Sequence, residues 1–357
     1  MSEKNPKVRI KDIAILAGVS EGTVDRVLHR RGDVSAKSLE AVNKVLEEMN
    51  YTPNYLARSL ASKKQYRFVC LFPEYFPNEY WQRVSDGFDL AANEFINYNV
   101  HIEKLNFNQF DANSFVQMSE QILVNAPDAI FIAPIFREEC LQLIAELSKR
   151  NIPFSFIDSM LEATDFVSYY GQHSFQSGYI AAKLLLENLQ KPSQLLLVRT
   201  QRKGATSNQT LNRSAGFMQY MSDFDLMKNI EIVNVELLDD DESANIAILS
   251  SVFEKNKEIK AAITFNSKVY RLAKYFDVLG QKEVQLIGYD ALEQNVKYLQ
   301  QGLISYLIAQ RPEKQSYLTV RDMCNELIFK QAVKKVNYVP IDVLMKENVE
   351  YYMDFTV

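Results

Sequence analysis

From Tyr66 to the C-terminal region, short apolar runs alternate with amphipathic segments of helical length, and few architectures accept that rhythm. Strand candidates are 67–73, 101–107, 129–134, 153–158, 166–171, 194–200, 230–237, 261–266, 284–290 and 305–310. Between them, 80–98, 114–124, 138–150, 174–189, 213–221, 243–254 and 292–301 carry helical periodicity. Strands that alternate with helices predict an α/β fold with parallel sheets covered on both faces. Sheets of this kind bind ligands beyond the C-terminal ends of their strands. The polar residues that close the apolar runs, Asp158, Asn266, Asp290 and Gln310, are therefore the first candidates for a binding site. Asp158 and Asp290 could equally cap the segments that follow.

The first sixty residues follow another pattern. Ile10, Ile13, Ala14 and Ala17 share one helical face. Gly18 can take the left-handed conformation that ends this helix, and Ser20 can cap a second. Val24, Val27 and Leu28 then point inward, leaving Glu21, Gly22, Asp25, Arg26 and His29 on the outer face. Two short helices around such a turn form a helix-turn-helix, whose second helix fits a DNA major groove. A third helix is predicted from Ser35 to about Glu48, stapled by Val34 and Leu39 and buried along Leu39, Val42, Leu46 and Met49. Asn54–Ser62 reads as a further short helix, too short to be stable alone in water.

Charge divides the same way. Residues 1–67 hold 13 Lys or Arg against 8 Asp or Glu, a net of +5, whereas the whole chain is −5 and the remainder is therefore −10. A basic head on an acidic body suits a polyanionic partner for the head alone. No run approaches the ~18 apolar residues of a membrane span. The polar N-terminus lacks the apolar core of an export signal, so a cytoplasmic location is expected. Cys70, Cys140 and Cys324 sit singly among apolar neighbours, as buried free thiols do, and the three histidines are too dispersed for a zinc centre. No phosphate loop, dinucleotide fingerprint, zinc-protease motif or nucleophile elbow occurs, so neither enzyme chemistry nor a cofactor is expected.

The head resembles the LacI/GalR family of bacterial transcription regulators. The residues that carry the likeness are Ile10-x-Asp12-Ile13-Ala14-x-x-Ala17-Gly18-Val19-Ser20-x-x-Thr23-Val24-x-Arg26-Val27-Leu28, then Val34-Ser35, Asn50-Tyr51-x-Pro53-Asn54 and Ala57-Arg58-Ser59-Leu60. The resemblance implies a sequence-specific regulator that binds double-stranded operator DNA as a homodimer, with two recognition helices in successive major grooves. Glu21, Gly22 and Arg26 are the candidates for base readout, flanked by Ser20, Thr23 and His29. Arg9, Lys11, Arg30 and Arg31 are candidates for phosphate contact. Arg26 could instead pair with Asp25 or Glu21. Asp25 replaces the serine usual in the family and bears on operator choice. Asn54, Ala57 and Leu60 would form a hinge helix whose leucine wedges into the minor groove, an ordinary packing residue being the alternative.

Over residues 66 to about 330 the body resembles the type I periplasmic sugar-binding fold, the effector domain of that family. The implied organisation is an all-α DNA-binding domain at 1–53, a hinge at 54–63, and a two-lobed effector and dimerisation domain at 64–357 with Rossmann-like sheets. One lobe would hold 64–159 and 291–311, the other 160–290 and 312–357, and Val339–Val357 would close as strands without a tetramerisation coil. The implied effector is a small polar molecule, a sugar or sugar derivative. Its candidate contacts are Asn78, Tyr80, Trp81, Asp158, His173, Arg213, Asn266, Asp290 and Gln310. Tyr80 and Trp81 could be core aromatics, Arg213 could serve a structural carboxylate, and His173 could be bonded within its loop. His173 and Ser267 replace aspartates common in sugar binders, and Ser159 replaces an arginine of ribose-type binders. These departures predict a different effector. A solute-binding protein or a sugar-active enzyme sharing the body is the alternative.

Overall fold

The head is built from α1 (Ile10–Ala17), α2 (Glu21–Leu28) and α3 (Ala36–Glu48) in a computed structural model. The structure describes residues 9–28, 32, 34–49, 51, 64–162, 164–187, 189, 192–201, 207–238 and 241–354. Gly18 ends α1 at φ 65°. Ser20 receives the Thr23 amide at 3.1 Å at the start of α2, and Ser35 receives that of Ser38 at 3.2 Å at the start of α3. Ile13, Val24 and Val42 are fully buried where the three helices meet. The buried stripe of α3 differs from the expected one: Val45 is buried beside Val42, and Leu39 is 43% exposed. A staple of Val34 with Leu39 therefore does not form the core contact; Val34 packs on the cluster itself.

The body begins with β1 (Tyr66–Pro73), α4 (Tyr80–Phe95), β2 (Val100–Phe107), α5 (Ala112–Val124), β3 (Ala129–Ile132), α6 (Arg137–Lys149), β4 (Phe154–Ile157) and β5 (Tyr169–Gly171). It continues through α7 (Ser174–Leu186), β6 (Ser193–Gln201), α8 (Asn208–Asp223), β7 (Ile230–Leu238), α9 (Glu242–Lys255), β8 (Ile259–Thr264) and α10 (Val269–Val278). The last elements are β9 (Gln285–Tyr289), α11 (Glu293–Gln300), β10 (Tyr306–Ala309), α12 (Pro312–Cys324), β11 (Val336–Tyr338), β12 (Asp342–Leu344) and α13 (Val349–Asp354).

Two six-stranded sheets result, ordered β11-β5-β4-β3-β1-β2 in lobe one and β12-β10-β9-β8-β6-β7 in lobe two. All pairings are parallel except that of β12 with β10. Their central strands are apolar on both faces, as sheets covered by helices on each side require.

This corrects the expected lobe boundaries. β5 pairs with β4, Phe156 opposite Tyr169, so the chain leaves lobe one after Gly171 and not at Ser159. β10 pairs with β9 through the α11 crossover, so 291–311 stays in lobe two. Helix α12 returns to lobe one, where Ser316 Oγ donates to the Val84 carbonyl at 2.8 Å. Gly87 permits that approach, because a Cβ there would overlap the Glu313 carbonyl. The C-terminal segment supplies one short strand to each sheet and then a helix at 349–354, where strands were expected. Among the described residues no helix is long and apolar enough to cross a membrane.

Candidate functional site

The C-terminal ends of β4 and β9 face each other across a cleft between the lobes. Each strand ends on a carboxylate in the left-handed region, Asp158 at φ 68° and Asp290 at φ 70°, a conformation that aspartate tolerates better than most residues. Both side chains are buried, at 8% and 4% exposure. Asp158 Oδ1 accepts from Gln209 Nε2 of α8 at 2.8 Å, and the same nitrogen donates to the Asp158 carbonyl at 2.6 Å. Asp290 Oδ1 accepts from Gln310 Nε2 at 2.9 Å.

Arg213 lies in the same cleft, 3% exposed. Its Nη1 donates to the Phe265 carbonyl at 3.0 Å, and its guanidinium carbon stands 4.0 Å from the centre of the Tyr289 ring. Nε and Nη2 are buried without a protein partner. Its backbone is fixed by close packing of α7 on α8. A Cβ at Gly178 would overlap the Arg213 carbonyl oxygen, and one at Gly216 would overlap that of Phe175. Buried donors left unbonded cost free energy, so this arginine favours a ligand that accepts hydrogen bonds.

Burial pushes the Asp158 carboxyl up to about 6, against the pull of the Tyr80 hydroxyl and Arg213. Burial raises Asp290 as well, opposed by Arg213 and by the Gln310 amide. The Tyr80 phenol is held well above its ordinary value by burial and then by the two carboxylates. Its hydroxyl is buried beside Asp158.

The cleft encloses about 300 Å³, at the small end of ligand sites. Tyr80 and Trp81 stand edge to face with centroids 5.2 Å apart. Trp81 also packs 6.3 Å from Phe72, so these rings serve core and cleft together. Exposed Asn78 lines the mouth at φ 65°. Asn266 also lines it, its Oδ1 holding the Lys268 amide at 2.8 Å. Gln310 keeps an unbonded Oε1.

Of the sequence-derived effector candidates, only His173 is absent from the cleft wall. Its Nδ1 accepts from the Gln176 amide at 3.3 Å, capping α7, and its ring lies 4.8 Å from that of Tyr338. The structure adds residues the sequence reading passed over: Gln209, and the pair Glu79–Lys268, which spans the two lobes at 3.8 Å. Gln209 stands one helical turn before Arg213, so starting α8 at Asn208 instead of Arg213 would have found it.

On the head, Arg9, Glu21, Gly22 and Arg26 are exposed and Thr23 is half-buried. Ser20 is committed to capping, its Oγ 2.9 Å from that of Thr23. Arg26 is exposed on the outer face of α2, one residue after half-buried Asp25. His29, Arg30, Arg31, Asn54, Ala57 and Leu60 lie outside the described residues.

Comparison with known proteins agrees with this division. Residues 9–54 match the model of bacterial regulatory proteins of the lacI family, and residues 69–331 match the periplasmic binding protein domain. A crystal structure of a putative LacI transcriptional regulator from Bacteroides fragilis is 35% identical, with a TM-score of 0.75 over 81% of this chain and 100% of that one. The chain belongs to the LacI family of bacterial regulatory proteins. The HTH-type transcriptional regulator DegA of Bacillus subtilis is 28% identical over 182 residues, 50% of this chain and 52% of DegA. The chain thus spans about half the length of the curated relatives it matches. GanP, a glucose-galactose binding protein from Geobacillus stearothermophilus, shares the fold of the body at 23% identity, with a TM-score of 0.67 over 80% of this chain and 99% of that one.

Proposed function

We propose that this LacI-family member is a transcription regulator that binds operator DNA as a homodimer and is controlled by a small polyhydroxylated effector in the cleft. The domain limits are those given above, with the head at 1–53, a hinge at 54–63 and the effector body from 64. A DNA target places the protein in the cytoplasm. The observation that carries the reading is Arg213. It is a buried guanidinium with two unspent donors, set over an aromatic ring between two strand-end carboxylates. Neighbouring ring hydroxyls both donate and accept, so one sugar can satisfy arginine and carboxylates together. The two carboxylates disfavour a further negative charge at that depth, so the part of the effector that enters the cleft is neutral.

The head supplies the output. The exposed face of α2 offers Glu21, Gly22 and Arg26 to base edges, with Arg9 at the backbone. A duplex selected from a random library by the full chain defines the operator. Arg26→Ala lowers affinity for that duplex by about tenfold or more, with little change on unrelated DNA, as loss of a base contact of ~1–3 kcal/mol requires. Neutral sugars raise the melting temperature and change operator affinity in fluorescence anisotropy. Retention of operator binding after removal of residues 1–65 overturns the role of the head. Stabilisation by nucleotides without any response to sugars overturns the effector assignment.

A further inference from the structure

Just before Tyr80 and Trp81 the chain reads Tyr75-Phe76-Pro77-Asn78-Glu79, a sequence built for a tight turn. Proline presets the second position of a β-turn, and asparagine tolerates the positive φ that a type II turn demands at the third. The structure has that turn. Asn78 stands at φ 65°, and the Glu79 amide donates to the Phe76 carbonyl at 3.2 Å.

The turn is held from several sides. The Phe76 amide donates to Glu79 Oε2 at 3.2 Å, and the Asn78 amide to Gln82 Oε1 at 2.6 Å. Tyr75 turns inward, its ring stacked 6.1 Å from that of Phe72 and its hydroxyl donating to Ser85 Oγ at 2.9 Å. Glu79 pairs with Lys268 across the lobes.

This fixed mount carries Phe76 outward. It lines the cleft at 77% exposure, whereas Tyr80 and Trp81 in the same wall are 8% and 7% exposed. A single exposed apolar residue is ordinary on a protein surface. One held on a rigid turn at the edge of a ligand cleft is placed for what enters that cleft. From lobe two, half-buried Tyr270 in the first turn of α10 lines the same cleft. Fully buried Asn295 accepts from its amide at 2.9 Å and donates to the Asp290 carbonyl at 2.9 Å. Each lobe thus mounts one aromatic ring outward of buried Arg213 and the two carboxylates.

We infer that the effector is longer than one sugar ring: a neutral disaccharide whose first ring fills the cleft and whose second lays an apolar face on Phe76, with Tyr270 on its other side. This rests on the carbohydrate reading of the cleft and adds a length to it. The enclosed volume of about 300 Å³ is at the small end of ligand sites, so a second ring lies at the mouth. There the C–H face of a pyranose and the phenyl ring remove each other's apolar surface from water.

The test is isothermal titration calorimetry on the full chain, pairing glucose with maltose and cellobiose, and galactose with lactose and melibiose. In the matching pair the disaccharide binds about tenfold more tightly than its monosaccharide, as burial of roughly 55 Å² of apolar surface provides. Added salt leaves that gain unchanged, and it comes with a more negative heat-capacity change. Phe76→Ala keeps the melting temperature, binds the monosaccharide within about twofold of the parent, and loses both the gain and the heat-capacity difference. Phe76→Trp retains them. Monosaccharides that bind while no disaccharide gains overturn this inference and leave the cleft reading intact. A gain that survives Phe76→Ala overturns it too. If no saccharide of either kind binds, both readings fall together.

Discussion

Asp158 and Asp290 are near copies of each other, and the difference between them is the most instructive contrast in the molecule. Each ends a parallel strand, each turns into the left-handed region, and each is buried with one glutamine amide on its Oδ1. Their partners have different origins. Gln310 lies at the end of β10, beside β9 in the same sheet, so its bond to Asp290 persists whatever the lobes do. Gln209 comes from α8 of lobe two and reaches Asp158 of lobe one, so its bonds exist only when the lobes are together. One carboxylate is a fixed part of its lobe. The other senses the separation of the lobes.

Arg213 faces both, and removing it tests the pair at once. Arg213→Met keeps the packing of the stem and deletes the positive charge that lowers both carboxyls. Loss of a buried charged contact costs ~2–5 kcal/mol, so effector affinity falls by about thirtyfold or more in calorimetry. Both carboxyls then move further up. The variant should accordingly be destabilised more at pH 7 than at pH 5 in urea unfolding. A variant that binds effector normally shows that neither carboxylate works through this arginine.

The next effect is the response of Asp158 to pH. Its folded value of about 6 lies above the ~3.9 of an exposed aspartate. The folded state therefore holds the proton more tightly. The corresponding stability is complete below pH ~4 and is lost as pH rises through about 6, a change of about 2–3 kcal/mol. Asp158→Asn cannot ionise and escapes that loss. Relative to the parent, its unfolding free energy should rise between pH 4 and pH 7 and level off above. Asp290→Asn should shift in the same direction. Parallel curves for parent and Asp158→Asn would show that the carboxyl is better solvated than its burial implies.

The strand ends were legible in the sequence because an apolar run that stops on one polar residue is a local signal. The head was legible because its spacing is local too. What escaped reading depends on partners far along the chain. β5 is three residues long, and it belongs to lobe one only through pairing with β4 and β11. Helix α12 hides its periodicity because its inner face is polar, with Gln315, Ser316, Thr319 and Asp322 all buried. Gln209 lay in the polar first turn of α8, where Asn208, Thr210 and Asn212 leave no apolar stripe to mark a helix. His173 is a candidate by resemblance, at a place where sugar binders carry an aspartate, but its imidazole is spent on capping α7.

The smallest effect separates the two glutamines directly. Gln209→Ala removes two hydrogen bonds that cross between lobes, and Gln310→Ala removes one that does not. Each should lower stability by about 1 kcal/mol per hydrogen bond lost, and a melting temperature reports the size of that loss without saying whether it falls between the lobes. Lobe separation does. Spin labels at Val124→Cys in lobe one and Phe224→Cys in lobe two sit on exposed residues, and the native Cys70, Cys140 and Cys324 are buried. Without effector, the parent should give one narrow distance distribution. Gln310→Ala should leave it unchanged, and Gln209→Ala should broaden it toward longer distances. Gln209→Lys, whose ammonium can pair with Asp158, should restore the narrow form. Identical distributions for both alanine variants would mean that lobe closure rests on Glu79–Lys268 and the strand crossings, and that the two aspartates are alike after all.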